Sequence, residues 1–441
     1  MVPDDTHRPN RRTVLKGAGI AGVALTAGCI SSPDDGGDGT SDGGGGGDDG
    51  GDGANGSDDT EDGSSGGDSP ESYSIGMVDS STGSLSAFGQ RNQRGKDLAL
   101  AAVNEVGIGG SQLDIIVEDS ESQPQSGVSA AQKLVNQDGV PFVIGAVGSG
   151  VSLAIYQSVV EGTDVVQLSQ NSTSPDLTDY PGLLRMSPTG ETQSAALADI
   201  ISEDGYDSVA ITWINNDYGQ GITEAFTDAW DGDVAFNNSH DQGQSSYSSI
   251  VSQMADSGAE AWLFITYQPE FTTMAQETYS SGYEAQFYGA DSVQGPDVLS
   301  NTPEGSLDGM RLVTPSAAVD QENYQQFASA FEEEYGETPT AWSAYAYDCV
   351  VTAALAVATA EEFTGAALQE TVREVTRPDG EQVTTFEQAM EVLGEDGSAS
   401  DIDYQGVSGP IDFDENGDPV GYLQIFTVED HEYTSTGFIE S

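Results

Sequence analysis

Four short segments of this 441-residue chain carry side chains that could bind charge. Gly148-Ser149-Gly150 follows the apolar run Phe142-Val143-Ile144 and opens a stretch of helical spacing. Backbone N–H groups at such a start, joined by the Ser149 hydroxyl, can face an anion. Asn171-Ser172-Thr173 follows the next apolar run, Asp164-Val165-Val166-Gln167-Leu168, and adds an amide and two hydroxyls. Tyr218 and Asp291 lie past later runs, Asp291 directly after Tyr288-Gly289-Ala290. Donors together with a carboxylate suit a small solute bearing both charges. Each residue also has an ordinary use. Ser149 could cap its helix, Tyr218 could pack in a loop, and Asp291 is one of 74 acidic residues.

Bond-breaking chemistry finds no support. There is no Gly-x-Ser-x-Gly elbow, no Walker loop, and no nucleophile set beside a base. His7, His240 and His431 are the only histidines and make no recognisable zinc pattern. Asp412-x-Asp414-x-Asn416-Gly417 starts like a calcium loop, but its twelfth position is Leu423 where that loop needs Glu. Asn416-Gly417 reads better as a hairpin turn. A non-enzyme without cofactor or metal is expected. Cys349, inside the apolar helical pattern from Ala344 to Val351, has no disulfide partner and reads as a core residue.

The elements that must hold these groups alternate. Short apolar strands at Tyr73–Val78, Leu113–Val117, Phe142–Ile144, Asp164–Leu168, Ser208–Ile211, Ala261–Ile265 and Gln286–Tyr288 are separated by helical patterns, among them Lys96–Val106 and Val128–Val135. That alternation predicts an α/β fold whose parallel sheets are covered on both faces. Ligand groups in such sheets come from loops at the C-terminal strand ends, where Ser149, Thr173 and Asp291 fall. The alternating part runs from about 71 to 441, roughly 370 residues and more than the ~250–300 at which one core stops growing, so two lobes are expected.

The N-terminal part is an address. Asn10-Arg11-Arg12-Thr13-Val14-Leu15-Lys16 resembles a twin-arginine export signal. The core after it, Gly17 to Ala27, is shorter than the ~20 residues a span needs. Leu25-Thr26-Ala27-Gly28-Cys29 resembles a lipobox, with Leu four residues before Cys rather than three. Residues 1–28 therefore read as a cleaved signal, and Cys29 as the lipidated residue that anchors the protein to the outer face of the cytoplasmic membrane. Residues 31–70 hold 15 Gly and 12 acidic residues. They cannot offset chain entropy by burial, so 29–70 is expected to be a disordered acidic tether spanning on the order of 35 Å.

Charge bounds the partners. The chain has 74 acidic and 12 basic residues and a formal charge of -62. From Glu71 onward 60 acidic residues face 8 basic ones, a net of -52. Such charge strains a compact fold in dilute buffer. At ~1 M salt the screening length falls to about 3 Å. The composition resembles that of halophilic proteins. Nucleic acid is excluded as a partner, because the basic stripe it requires is missing.

Several segments, in order, resemble the type I periplasmic binding proteins, in the branched-chain amino acid branch of ABC-transport receptors. They are Ile75-Gly76-Met77-Val78 with Ser81–Gly89, Arg94–Asn104, Glu118-Asp119-Ser120, Ala131–Val135, Gly145–Gly150, Asn216–Gly221, Tyr335–Pro339 and Phe413–Asp418. No single motif is decisive, but their order covers nearly all of 71–430. The resemblance implies two Rossmann-like lobes with parallel sheets joined by a three-crossing hinge. Lobe 1 would be 71–190 plus 315–410, and lobe 2 191–314 plus 411–441. It implies an amino acid or similar small-molecule ligand, trapped by cleft closure and delivered to ABC permease subunits in the membrane. A sensory module of the same fold is the alternative.

By resemblance, Ser149 and Thr173, with groups near Asn171 and Ser172, match positions that hold the ligand α-carboxylate. Asp291 matches an acid pairing with the α-ammonium. Tyr218 and Tyr267 match cleft tyrosines, and Phe88 matches an aromatic touching the ligand side chain. The family often has a small residue where Asn171 stands, and Glu more often than Asp at 291. Asp reaches about one methylene less, so the pocket also suits an amide, a urea-like solute or a different amino acid.

Overall fold

A computed structural model describes residues 70–440. The export signal, Cys29 and nearly all of the expected tether lie outside the described residues. Five strands, β1 (Ser72–Asp79), β2 (Gln112–Asp119), β3 (Phe142–Gly145), β4 (Val166–Ser169) and β5 (Leu183–Arg185), form a sheet in the order β2-β1-β3-β4-β5. Every pair in it is parallel. Five more, β6 (Ser208–Ile214), β7 (Asp233–His240), β8 (Ala261–Ile265), β9 (Gln286–Gly289) and β10 (Arg311–Ser316), run parallel in the order β10-β9-β8-β6-β7. β3 and β8 are buried along their whole length, as strands sandwiched between helices are.

Two features depart from the expected all-parallel pattern. A small sheet forms from β11 (Glu381–Val383), β12 (Ile402–Gly406) and β13 (Gly409–Pro410). The last strands, β14 (Tyr422–Glu429) and β15 (Glu432–Glu440), extend the second sheet antiparallel beyond β10. They are joined at Asp430 and His431, both with positive φ, at 50° and 65°. That backbone is the two-residue hairpin geometry matching strand twist. The hairpin expected at Asn416-Gly417 does not form. Asp414 N donates to the Asp418 carbonyl at 2.9 Å and Gly417 takes φ 89°, but no strand lies on either side of this turn.

The chain passes between the sheets three times: from β5 to β6, from β10 to the helix Glu322–Tyr335, and from β13 to β14. The third passage lies later than the expected boundary at 411. Asp414 and Asp418 are bonded to first-lobe arginines: Arg373 donates to the Asp414 carbonyl, and Arg185 pairs with Asp418. Only from Tyr422 does the chain join the second sheet. Ser86–Val106 and Ala341–Thr359 are the long helices of the first lobe, and they cross closely. A Cβ on Gly95 would sit 2.1 Å from the Ser343 carbonyl oxygen, so only glycine fits there. Ala341–Thr359 is long and apolar enough to cross a membrane, yet 83% of its apolar window is buried in the protein. Cys349, in that helix, is buried and free.

Candidate ligand site

The site begins where the first sheet's strands end. After β3 the chain turns through Gly148 into the helix Ser149–Ile155. Ser149 does not cap this helix. Gly148 holds the cap position, and the Ser149 hydroxyl oxygen accepts a hydrogen bond from Ser174 N at 3.1 Å. After β4 the chain bends at Gln170 and Asn171 and continues outside any helix or strand to Ser174. Asn171 and Thr173 face the cleft. Ser172 does not, which corrects its place among the ligand contacts. Its Oγ lies 2.7 Å from Ser152 Oγ, in a buried hydroxyl cluster that also takes in Ser169 and the Ala146 carbonyl.

This loop is pinned from behind. Arg185 is fully buried, donates to the Ser174 carbonyl at 2.6 Å and to Thr178 Oγ1 at 2.7 Å, and forms an ion pair with Asp418. Thr178 closes the ring by donating to Asp418 at 2.7 Å.

The second lobe supplies the facing wall. Asn216 caps the helix Asp217–Ala229 through its Oδ1, while its Nδ2 donates to the Tyr267 hydroxyl at 2.9 Å. Tyr218 and Tyr267 stack with ring centroids 5.8 Å apart. The Tyr218 hydroxyl donates to Asp291 Oδ1 at 2.9 Å, Gln193 Nε2 donates to the same oxygen at 3.1 Å, and Ser292 Oγ donates to Oδ2 at 3.3 Å. Burial raises the Asp291 carboxyl above the usual carboxylate range, against the lowering effect of Gln193 and Tyr218. Burial also pushes both tyrosines upward, so they act as neutral hydroxyls.

The two walls meet around a cavity of about 270 Å³. Seven of the eight sequence candidates line it: Phe88, Ser149, Asn171, Thr173, Tyr218, Tyr267 and Asp291. The Asn171 amide is buried with neither its nitrogen nor its oxygen hydrogen-bonded among the described residues. Phe88 meets Trp342 edge-on at 5.5 Å, and both close the apolar end with Leu85. The lobes are shut. Ser84 Oγ donates to Glu270 at 3.1 Å, and Ser174 Oγ donates to the Asp217 carbonyl at 2.9 Å.

Trp342, Leu85 and Gln193 escaped the sequence reading. Gln193 carried a usable signal: it is a polar residue on the buried face of the helix Gly190–Glu203, beside Leu197 and Ile200. Trp342 carried none, because it reaches the site only through the second chain passage. Among the described residues no group of three or more His, Cys, Asp or Glu is placed to hold a metal. His240 is bonded to Thr212 and Thr266 instead.

A family model described as "Periplasmic binding protein" matches residues 72–432. The Leucine-, isoleucine-, valine-, threonine-, and alanine-binding protein of Pseudomonas aeruginosa is 25% identical over 339 residues, covering 75% of this chain and 88% of that protein. Leu/Ile/Val-binding protein homolog 3 of Brucella melitensis is 28% identical over 54% of this chain. That match spans 64% of the relative, slightly under two thirds of its length. A leucine binding protein from Thermotoga maritima superposes with TM-score 0.72 at 21% identity, over 83% of this chain and 99% of the other. The branched-chain amino acid transporter substrate binding protein of Streptococcus pneumoniae, in complex with isoleucine, gives 0.72 at 20% identity over 84% and 100%. Both structures establish the same fold. With a family match over most of its length and this sheet order, the chain belongs to the periplasmic binding proteins, type I.

Proposed function

We propose that this protein is an exported, non-enzymatic solute receptor that traps a free amino acid between its lobes and presents it to an ABC permease. The observation that carries the reading is Asp291. It is buried and accepts bonds from Gln193, Tyr218 and Ser292, yet no Lys, Arg or His among the described residues forms an ion pair with it. A buried carboxylate calls for a cation, and an α-ammonium fits the small cavity. Facing it, the Ser149 and Thr173 hydroxyls and the Asn171 amide suit the α-carboxylate. Phe88, Leu85 and Trp342 suit an apolar side chain. Tyr218 and Tyr267 bring the second lobe to the ligand only when the cleft is shut. Binding would then shift the population toward the closed form that a permease reads. Anchoring through Cys29, with residues 29–70 as a leash, would hold the trap beside its membrane partner. The relatives are named for binding leucine, isoleucine and valine, which makes these the first candidates.

The test is calorimetric titration in high salt with leucine, isoleucine, valine and alanine. Two truncated analogues accompany them: isocaproate, without the ammonium, and isoamylamine, without the carboxylate. The amino acids bind and both analogues lose affinity. Isocaproate binding as tightly as leucine would sink the Asp291 assignment. Binding of urea or an amide in place of every amino acid would establish the alternative solute class.

A further inference from the structure

A second cavity, of about 710 Å³ with its open mouth included, borders Trp342. Trp342 lines both cavities and is the residue they share. The second cavity is walled by Arg91 and Tyr324 from the first lobe and by Gln294 and Tyr433 from the second. Hinge residues Thr314 to Ala317 lie between them.

Arg91 is unusual in this chain. From Glu71 onward there are only eight basic residues. Arg94, Lys96, Lys133, Arg185 and Arg311 each form an ion pair, Arg373 donates to the carbonyls of Asp414 and Pro181, and Arg377 is exposed to solvent. Arg91 makes no hydrogen bond or ion pair among the described residues. Its guanidinium instead lies over the Phe88 ring, 5.4 Å from the centroid. Burial lowers its pKa, while Asp297, Tyr433 and Glu337 act the other way. Guanidinium stays charged all the same. A partly buried, unpaired cation facing a large cavity is set to take an anion from solution.

We propose that this hinge cavity is a second binding site, for a small organic monocarboxylate whose carboxylate docks on Arg91. The planar fork of a guanidinium suits a carboxylate bidentately. One cation neutralises one charge, and the nearby Asp297 and Glu337 disfavour a dicarboxylate or a phosphate. Much of the remaining wall is apolar, with Pro296, Pro315, Ala317 and Phe426 offering burial to a ring or branched body. Because both lobes line the cavity, its occupant favours the shut form. By linkage it then tightens binding in the first cavity, and the first ligand tightens binding in the second. This coupling rests on the closure reading above, whereas binding at Arg91 does not.

The probes are cyclohexanecarboxylate and its neutral isostere cyclohexanecarboxamide, titrated calorimetrically into the full chain. The carboxylate binds at least about tenfold tighter than the carboxamide. Arg91→Gln removes that preference, and Arg91→Lys keeps part of it. Melting curves confirm that the variants fold. The site is refuted by equal binding of the two probes, by unchanged carboxylate affinity in Arg91→Gln, or by no carboxylate heat up to on the order of 10 mM. It is also refuted by leucine displacing the carboxylate in competition titrations, which would place the probe in the first cavity. A chain that binds the carboxylate but no amino acid would retain this site and refute the amino-acid reading alone.

Discussion

Replacing Asp291 with Asn removes one charge and almost no volume. The Asn oxygen can still accept from Tyr218 and Gln193, which now meet Asp291 Oδ1 at 2.9 and 3.1 Å. What the variant loses is the pairing with a buried cationic ligand. Truncating one partner of a buried, hydrogen-bonded charge pair costs about 2–5 kcal/mol, and each 1.4 kcal/mol is about tenfold in affinity. Leucine binding should therefore weaken about 30- to 3,000-fold. Ligand-free stability should move the other way. The folded-state pKa of Asp291 is raised, so its contribution to stability is fully present below the unfolded carboxylate value. That contribution is lost as pH rises through the folded one. Removing the charge should leave the ligand-free melting temperature equal or higher at neutral pH. It should also flatten the fall in wild-type affinity as pH drops and the carboxyl protonates. Calorimetric titration across pH, with melting curves of the free proteins, measures all three. An affinity within about threefold of wild type would refute the reasoning, as would a ligand-free protein that melts lower.

Other perturbations test the scaffold. Arg185→Met leaves Asp418 uncompensated in a buried place and should cost about 3–5 kcal/mol, read from denaturant unfolding. The double variant with Asp418→Leu should recover much of that. Asp79 is buried, and its pKa is raised to about 6. Its stability contribution is present below about pH 4 and lost as pH rises through about 6. Asp79→Asn should therefore raise the melting temperature at pH 7.5, by at most about 3 kcal/mol of stability, and not at pH 4. The same shift at both pH values would contradict this. A net charge of -52 beyond residue 70 predicts a much higher melting temperature at about 3 M KCl than at about 0.1 M. Equal values would defeat the halophilic reading.

The sequence displayed the parts whose physics is local. Buried strands such as Phe142–Gly145 and Ala261–Ile265 announce themselves as apolar runs between turns, and the loops after them had to carry the site. The ends of the chain were less legible. The Asp430-His431 turn lacks the glycine that marks such hairpins, while Asn416-Gly417 has it without flanking strands. Ser172 was placed with its neighbours because residue type alone does not show that its hydroxyl turns away to Ser152. Trp342 was missed because its place at the site is fixed by chain topology and not by its neighbours in sequence.

The bonds from Ser84 to Glu270 and from Ser174 to Asp217 bear on how the receptor is emptied. A neutral hydrogen bond contributes about 0.5–1.5 kcal/mol net and one to a charged group about 1.5–3, so together they hold the lobes by only about 2–4 kcal/mol. On the transport reading, the cargo itself is the main clasp. A permease prying the lobes apart works chiefly against the solute's own contacts. On that reading the empty form, held by these bonds without the solute's contacts, reopens more readily than the loaded one.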